Sequence, residues 1–397
     1  MGKKYFGRII MIKKIIAAIC AGALVFSMAG CRGGDPSDSS VTTPTEESGV
    51  VADEMDTALT PLEFTAGIKV GWNLGNTLDA TGTKDIFSEK SWGNPETTEE
   101  MIIAVKDAGF NAVRIPTSWG NHMDENHTIA ADWMARVTQI VDYAYNNDLY
   151  VILNMHHEDW NYPYEDNKET AAEIMTAAWT QIAENFKGYD EHLIFEGMNE
   201  PRWVGTDFEW NGGNDEGRAV VNYLDQVFVD TVRATGGNNE QRFLMVCPYA
   251  ASSSREALAA LELPTDSADR LIVSVHAYTP YSFALQQNGG GKWLADKESC
   301  TRDIDYLADT LNELFISKGT AVIIGECGAM NKDNEEYRAE WAKYYMSKFK
   351  EIGIPCFLWD NGAFYSGETF GLLDRYSVTW RYPDLMAGIM EGAGANG

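Results

Sequence analysis

The sequence predicts an α/β fold of the (β/α)8 TIM-barrel kind, in a single folded domain. Three observations carry that expectation. Eight short, near-continuous apolar runs recur from about residue 65 onward, as strands buried on both faces require. Helix-periodic stretches separate these runs, over a length suited to a closed barrel. Polar and aromatic residues collect where the runs end, which in a parallel barrel is one rim. A doubly wound open sheet is the competing arrangement. No glycine-rich phosphate loop follows the first run, which weighs against it.

Taken in order, the chain opens on Lys13-Lys14 and an apolar stretch over 15–26, a basic n-region and an h-region too short to span a membrane comfortably. Met11 offers a second possible start. Ser27-Met28-Ala29-Gly30-Cys31 follows, and small residues before a cysteine resemble the bacterial lipoprotein cleavage box. Residues 1–30 are therefore read as a signal peptide and Cys31 as its lipidated residue, with ordinary secretion as the alternative. Residues 31–64 are rich in Ser, Thr, Pro, Gly, Asp and Glu and hold no basic residue after Arg32, the composition of a disordered acidic linker. The folded domain is expected over 65–391 and a flexible tail over 392–397.

The eight predicted strands cover 68–74, 112–115, 150–153, 193–195, 243–246, 271–275, 321–324 and 355–358. Helices between them have their own support. Thr97 with Glu100 reads as a capping box, followed by Met101, Ile102, Val105 and Ala108 and ended by Gly109. Met134, Val137, Val141 and Ala144 form the next stripe. Ile174, Ala178, Ile182 and Phe186 form another, closed by Gly188. Leu224, Phe228 and Val232 lead to Gly236-Gly237. Tyr306, Ala308, Leu311 and Phe315 precede Gly319, and Tyr337, Trp341, Tyr344 and Phe349 precede Gly353.

Net charge bounds the partners. At −28 the chain is a poor ligand for nucleic acid, whereas a neutral polysaccharide is not repelled. Cys247, Cys300, Cys327 and Cys356 match no zinc spacing, and three of them end apolar runs, where cysteine acts as a small hydrophobe. His156 and His157 are adjacent, so on a strand they point to opposite faces, and no His-x-His pair is present. No metal and no cofactor are expected.

The strand ends supply the candidate residues. The first ends Gly71-Trp72-Asn73-Leu74-Gly75-Asn76-Thr77 and the second Arg114-Ile115-Pro116. The third ends Asn154-Met155-His156-His157-Glu158-Asp159-Trp160 and the fourth Asn199-Glu200-Pro201, where Pro201 cannot continue a ladder. The sixth ends His276-Ala277-Tyr278, the seventh Gly325-Glu326-Cys327-Gly328, and the eighth Trp359-Asp360-Asn361-Gly362. Two carboxylates, Glu200 and Glu326, thus end strands that face each other across a barrel mouth. That is the equipment for hydrolysis of a glycosidic bond, which needs one protonated and one ionised carboxyl group. Trp359 is either a flat platform for a sugar ring or plain core.

These ends resemble glycoside hydrolase family 5, of cellulase type. The segments 71–80, 154–157 and 197–201 are particularly similar to its endoglucanase and xyloglucanase subgroup, and the similarity runs from about 64 to 391. The resemblance implies a catalytic domain that acts as a retaining endo-β-1,4-glucanase. Glu200 would be the acid/base and Glu326 the nucleophile. Arg114, His156, His157, Asn199, His276, Tyr278, Trp359, Asn76 and Asn361 would bind or support the sugar. Arg114 would keep Glu326 ionised, His276 would help set the proton of Glu200, and Asn199 would grip the 2-hydroxyl. Xyloglucan, mixed-linkage glucan or mannan remain alternative substrates, and a non-catalytic glycan-binding lipoprotein an alternative class. Trp72, Trp92, Trp119, Trp160 and Trp203 are further platform candidates. The expected partner is β-glucan, the expected state a monomer, and the only expected membrane contact the lipid on Cys31.

Overall fold

The computed structural model describes residues 54–395. The signal peptide and the lipidation of Cys31 lie outside the described residues. Eight parallel strands close into a barrel in sequence order: β1 (Gly71–Leu74), β2 (Ala112–Ile115), β3 (Tyr150–Asn154), β4 (Leu193–Glu196), β5 (Leu244–Val246), β6 (Leu271–His276), β7 (Ala321–Cys327) and β8 (Cys356–Asp360). Each of the eight predicted runs overlaps one of them, and five of the strands, β3, β4, β6, β7 and β8, run on past the predicted end. The helices expected from the stripes are all present: α2 (Glu99–Asp107), α3 (Ala131–Tyr145), α4 (Lys168–Asn185), α5 (Asp215–Ala234), α8 (Glu298–Leu314) and α9 (Glu335–Lys350), together with the short α6 (Arg255–Ala260) and α7 (Tyr281–Ala284). No helix among the described residues is long and apolar enough to cross a membrane.

Inside the barrel, side chains alternate strictly enough to separate two layers. Ala112, Ile152, Ile194, Met245, Ile272, Ile323 and Phe357 form one buried apolar cluster near the strand starts. Two residues further along the same strands stand Arg114, Asn154, Glu196, Ser274 and Trp359, on the same face by the period of two. Strand β7 breaks the alternation. Its register shifts between Ile324 and Cys327, and the extra residue turns Glu326 inward where strict alternation would point it out. Gly71 on β1 is fixed by close approach, because a Cβ there would sit 2.0 Å from the Phe357 ring.

The boundaries of the domain differ from the expectation. Residues 61–64, expected as the end of the linker, instead open a helix, α1 (Pro61–Gly67), with Thr60 and Glu63 forming a true capping box and proline in its first turn. Phe64 of α1 stacks on Phe243 with ring centroids 3.9 Å apart and closes the floor of the barrel. Ahead of it the chain is clipped to the same floor: the Asp56 N–H donates to Glu191, and Arg270 donates to the carbonyls of Asp56 and Leu59. At the other end α10 (Pro383–Ala393) runs into the expected tail, and Gly392 and Ala393 are buried.

Two smaller expectations also fail. Thr97 does not cap α2; its N–H donates to the buried Glu89 carboxylate at 2.6 Å, and Thr98 takes the cap position. Tyr306 is exposed rather than part of its core stripe. Cys247, Cys300, Cys327 and Cys356 are free thiols, and the three at strand ends are buried.

Candidate active site

Arg114 is the hub of the upper layer. It is fully buried, and its guanidinium reaches four neighbours: Nε donates to Glu196 at 2.7 Å, Nη1 to Glu326 at 2.7 Å and Asn73 at 3.0 Å, and Nη2 to Asn199 at 2.7 Å. Burial alone would weaken its hold on the proton, but the Glu196 and Glu326 carboxylates outweigh that and hold it above its usual range. Glu196 is in turn bonded by the Ser274 hydroxyl. Because Oδ1 of Asn199 accepts from Arg114, its Nδ2 hydrogens are the donors left for a substrate. A planar fork that grips several acceptors fixes their positions as well as their charge.

Glu326 is held from two sides. Arg114 binds one oxygen, and the Tyr278 hydroxyl donates to the other at 2.9 Å. Burial and the Glu326 charge push the Tyr278 phenol well above its ordinary value, so it stays a donor.

Across the mouth, His276 Nδ1 bonds Glu200 Oε1 at 2.8 Å. A Glu200 oxygen, a His276 nitrogen and a Glu326 oxygen all lie within 4.8 Å of one another. Burial raises Glu200, but the His276 hydrogen bond and charge, with Arg202, overcome it and leave Glu200 below the usual carboxylate range. Burial lowers His276, but Glu326 and Glu200 overcome that and raise it. The two directions together favour a shared proton in the His276–Glu200 pair, next to the carboxyl group expected to deliver it.

His156 has a fixed tautomer. Asn154 Oδ1 accepts the Thr117 N–H at 3.0 Å, which turns Asn154 Nδ2 toward His156 Nδ1, also at 3.0 Å. The ring therefore carries its hydrogen on Nε2. Burial, with the positive charge of Arg114 nearby, lowers its affinity for a second proton and keeps it neutral.

The sequence signature of the cellulase family, glycosyl hydrolase family 5, matches residues 75–365. The chain belongs to that family. It is a glycoside hydrolase. Endoglucanase 1 of Ruminococcus albus is 50% identical over 328 residues, which is 82% of this chain and 79% of that protein. A broad-specificity endoglucanase of Ruminococcus champanellensis with bound cellotriose superposes with a TM-score of 0.82 at 46% identity, covering 85% of this chain and 100% of that one. A family 5 lichenase of Caldicellulosiruptor sp. F32 superposes with a TM-score of 0.81 at 43% identity, covering 87% and 98%.

Within this family 5 barrel, the remaining candidates divide. Trp359 is 9% exposed and packs with Met330 and Phe370. Its ring lies parallel to His156, centroids 5.9 Å apart. It is mostly core, with one edge of the site. His157 is exposed beside Trp92, and Asn76 adopts a left-handed backbone (φ 54°) held by Asp79. Asn361 is turned into its own loop: its Nδ2 donates to the Glu368 carbonyl and its Oδ1 accepts from the Ala363 N–H. It braces the β8 loop rather than reaching for sugar. Trp72 and Trp119 are fully buried core, whereas Trp92, Trp160 and Trp203 keep exposed surface.

The adjacent histidines do converge. Past the end of β3 the strand rule no longer separates them, and ligand atoms of His156, His157 and Asp79 come within 4.8 Å. The donor set still suits a metal poorly. His156 Nε2 bears its hydrogen, and Nδ1 is taken by Asn154. In the Glu200–His276–Glu326 group, Arg114 already supplies the cation. Sequence reasoning placed Asn73 and Asn154 at strand ends without giving them a role, and missed Glu196, Ser274 and Arg202. Of these Glu196 carried a signal, a carboxylate closing an apolar run.

Proposed function

We propose that the chain is a retaining endo-β-1,4-glucanase that hydrolyses β-1,4-linked glucan backbones, with Glu326 as nucleophile and Glu200 as acid/base. The observation that carries this reading is the separation of the two carboxylates. Their nearest oxygens lie within 4.8 Å, which fits the direct-attack spacing of about 5–5.5 Å between carboxyl groups and not the ~6.5–9.5 Å that admits a water.

The mechanism follows from where the protons are. In the free enzyme the His276–Glu200 pair shares one proton across its 2.8 Å hydrogen bond. Glu326 attacks the anomeric carbon while that proton passes through Glu200 to the leaving oxygen. Once Glu326 is esterified its negative charge is gone, and with it the largest influence raising His276. The pair therefore rests without its proton at the intermediate. Glu200 is then free to take a proton from water, which displaces Glu326 and returns the β configuration. Asn199 Nδ2 and His156 Nε2–H are the donors for the ring hydroxyls, contacts that strengthen as the sugar approaches the transition state.

Release of reducing ends from carboxymethylcellulose, with internal cuts seen by product sizing, tests the activity. No release from any β-glucan would overturn it. The family 5 lichenase neighbour favours mixed-linkage glucan as a second substrate. We also propose export, lipidation at Cys31 and a monomeric state. The leader and its cleavage box support the first two. Cys31→Ala should release an active monomer from the membrane fraction; retention there would reject the anchor.

A further inference from the structure

One buried carboxylate has no part in the chemistry above. Glu158 follows β3 and reaches into the loop after β2. Its Oε1 accepts from the Trp119 N–H at 2.6 Å and the Gly120 N–H at 3.2 Å. Its Oε2 accepts from the Gly120 N–H at 2.9 Å and the Trp160 indole N–H at 2.6 Å. Among the described residues, Trp160 is the only side chain bonded to it. Trp160 stands in the wall of a cavity of about 580 Å³ whose lining also includes Glu200, His157, Arg202, Asn121 and Asp124. The acid/base is thus in the lining of this compartment, and the nucleophile is not.

The arrangement is costly for a loop brace. Burial pushes the Glu158 carboxyl up to about 7, against the N–H groups that favour its charge. Neutral side chains can join two loops without that cost. A carboxylate adds the ability to accept from every donor at once. A glutamine would turn its NH2 group against either the two backbone N–H groups or the indole. Position 120 is shaped to the same end. A Cβ there would lie 2.5 Å from Glu158 Oε2 and 3.5 Å from the Trp160 ring, so glycine leaves room for both. An indole fixed at its polar edge, with polar groups around it, is what recognition of a sugar ring uses.

We infer that Glu158 is a positioning residue that sets Trp160 as the wall of a glycan compartment beside Glu200, outside the sugar that is cleaved. The inference rests on the proposed β-glucanase activity. Calorimetric titration of cellohexaose into the inactivated Glu326→Gln protein tests it. Adding Glu158→Gln or Trp160→Ala should each weaken binding about tenfold, and the two together should do no more than Trp160→Ala alone. In otherwise native enzyme, Glu158→Gln should raise KM on carboxymethylcellulose and leave kcat unchanged. Trp160→Phe, which keeps an aromatic ring but loses the indole N–H held by Glu158, should show the same direction of change in a protein that folds normally. Unaltered affinity in Glu158→Gln, or additive losses in the double variant, would overturn the positioning role alone. Absence of cellohexaose binding to Glu326→Gln itself would overturn the proposed function and this role with it.

Discussion

The floor and the mouth of the barrel are built from the same strands, two residues apart, and obey opposite rules. At the floor, Ile152, Ile194, Ile272, Ile323 and Phe357 meet Phe64 and Phe243 in one apolar cluster. At the mouth, Arg114, Glu196, Asn73 and Asn154 are just as buried, and each is bonded to others. Apolar burial supplies stability whatever its exact neighbours, at ~25 cal/mol per Å². Buried charges supply little net stability, because desolvation offsets their attraction. What they supply is position. One layer keeps the barrel closed, and the other holds the groups that react.

The sharpest division between the layers is at the reacting groups. Glu326→Ala should abolish turnover on every β-glucan, by a factor on the order of 10⁴ or more, while the thermal midpoint stays near that of the parent. Glu200→Ala should lose about 10²–10⁴-fold on polysaccharide but spare the first step when the leaving group is a nitrophenol, which needs no proton. Proton NMR of the earliest product should show the β-anomer. An α-anomer first would reject the nucleophile role of Glu326 and the two-displacement scheme.

A matched pair of core substitutions comes next. Phe64→Ala at the floor should cost about 3–5 kcal/mol of stability and leave kcat of the folded fraction unchanged. Arg114→Met at the mouth should cost a similar ~3–5 kcal/mol, because it leaves Glu196 and Glu326 without their counter-ion, and should also remove activity. Denaturant titration alongside kcat separates the two. Loss of kcat in Phe64→Ala would show that the floor reaches the chemistry.

The pH profile is a smaller and more specific test. Activity needs one proton on the His276–Glu200 pair. His276 is raised above 6.5, so the alkaline limb should lie above 6.5. Glu200 is lowered below 4.5, so a second proton enters the pair only below that value. The limbs belong to the pair as a whole. His276→Gln should move the alkaline limb to lower pH, since a carboxyl group alone then holds the proton. An unmoved limb would assign it to another group.

The smallest expected effect lies between barrel and helices. Asp225 on α5 is fully buried, and burial, only partly offset by the Cys247 backbone, pushes its carboxyl well above 3.8. Its folded pKa is raised, so the unfolded chain loses the proton first. Stability is then lost as pH climbs from 3.8 toward the folded value. Asp225→Asn should raise the thermal midpoint at neutral pH, and the gain should vanish below about pH 3.8. A gain that persists in acid would point to packing instead.

Much of this is legible in the sequence alone. The strand runs could be read because both faces of each strand are buried, and Glu200, Glu326 and Arg114 could be read because they stop those runs. The couplings could not. Arg114 meets Glu196 and Glu326 across 82 and 212 residues of chain, and no local pattern encodes such a meeting. Glu196 was hidden as the last letter of an apolar strand. Helix α1 carried a readable Thr-x-x-Glu cap, but the composition around it spoke for linker. Asn361 had the right residue type at the right strand end, and a loop bond turned it away.

The clipped entry at the floor has one more consequence. Asp56 and Leu59 tie the incoming chain to Glu191 and Arg270, on the side opposite the catalytic carboxylates. A pull on the N-terminal end therefore loads the closed base and leaves the open side unobstructed. Immobilised through that end on a bead or an electrode, the enzyme would face outward, toward a polymer too large to diffuse to it.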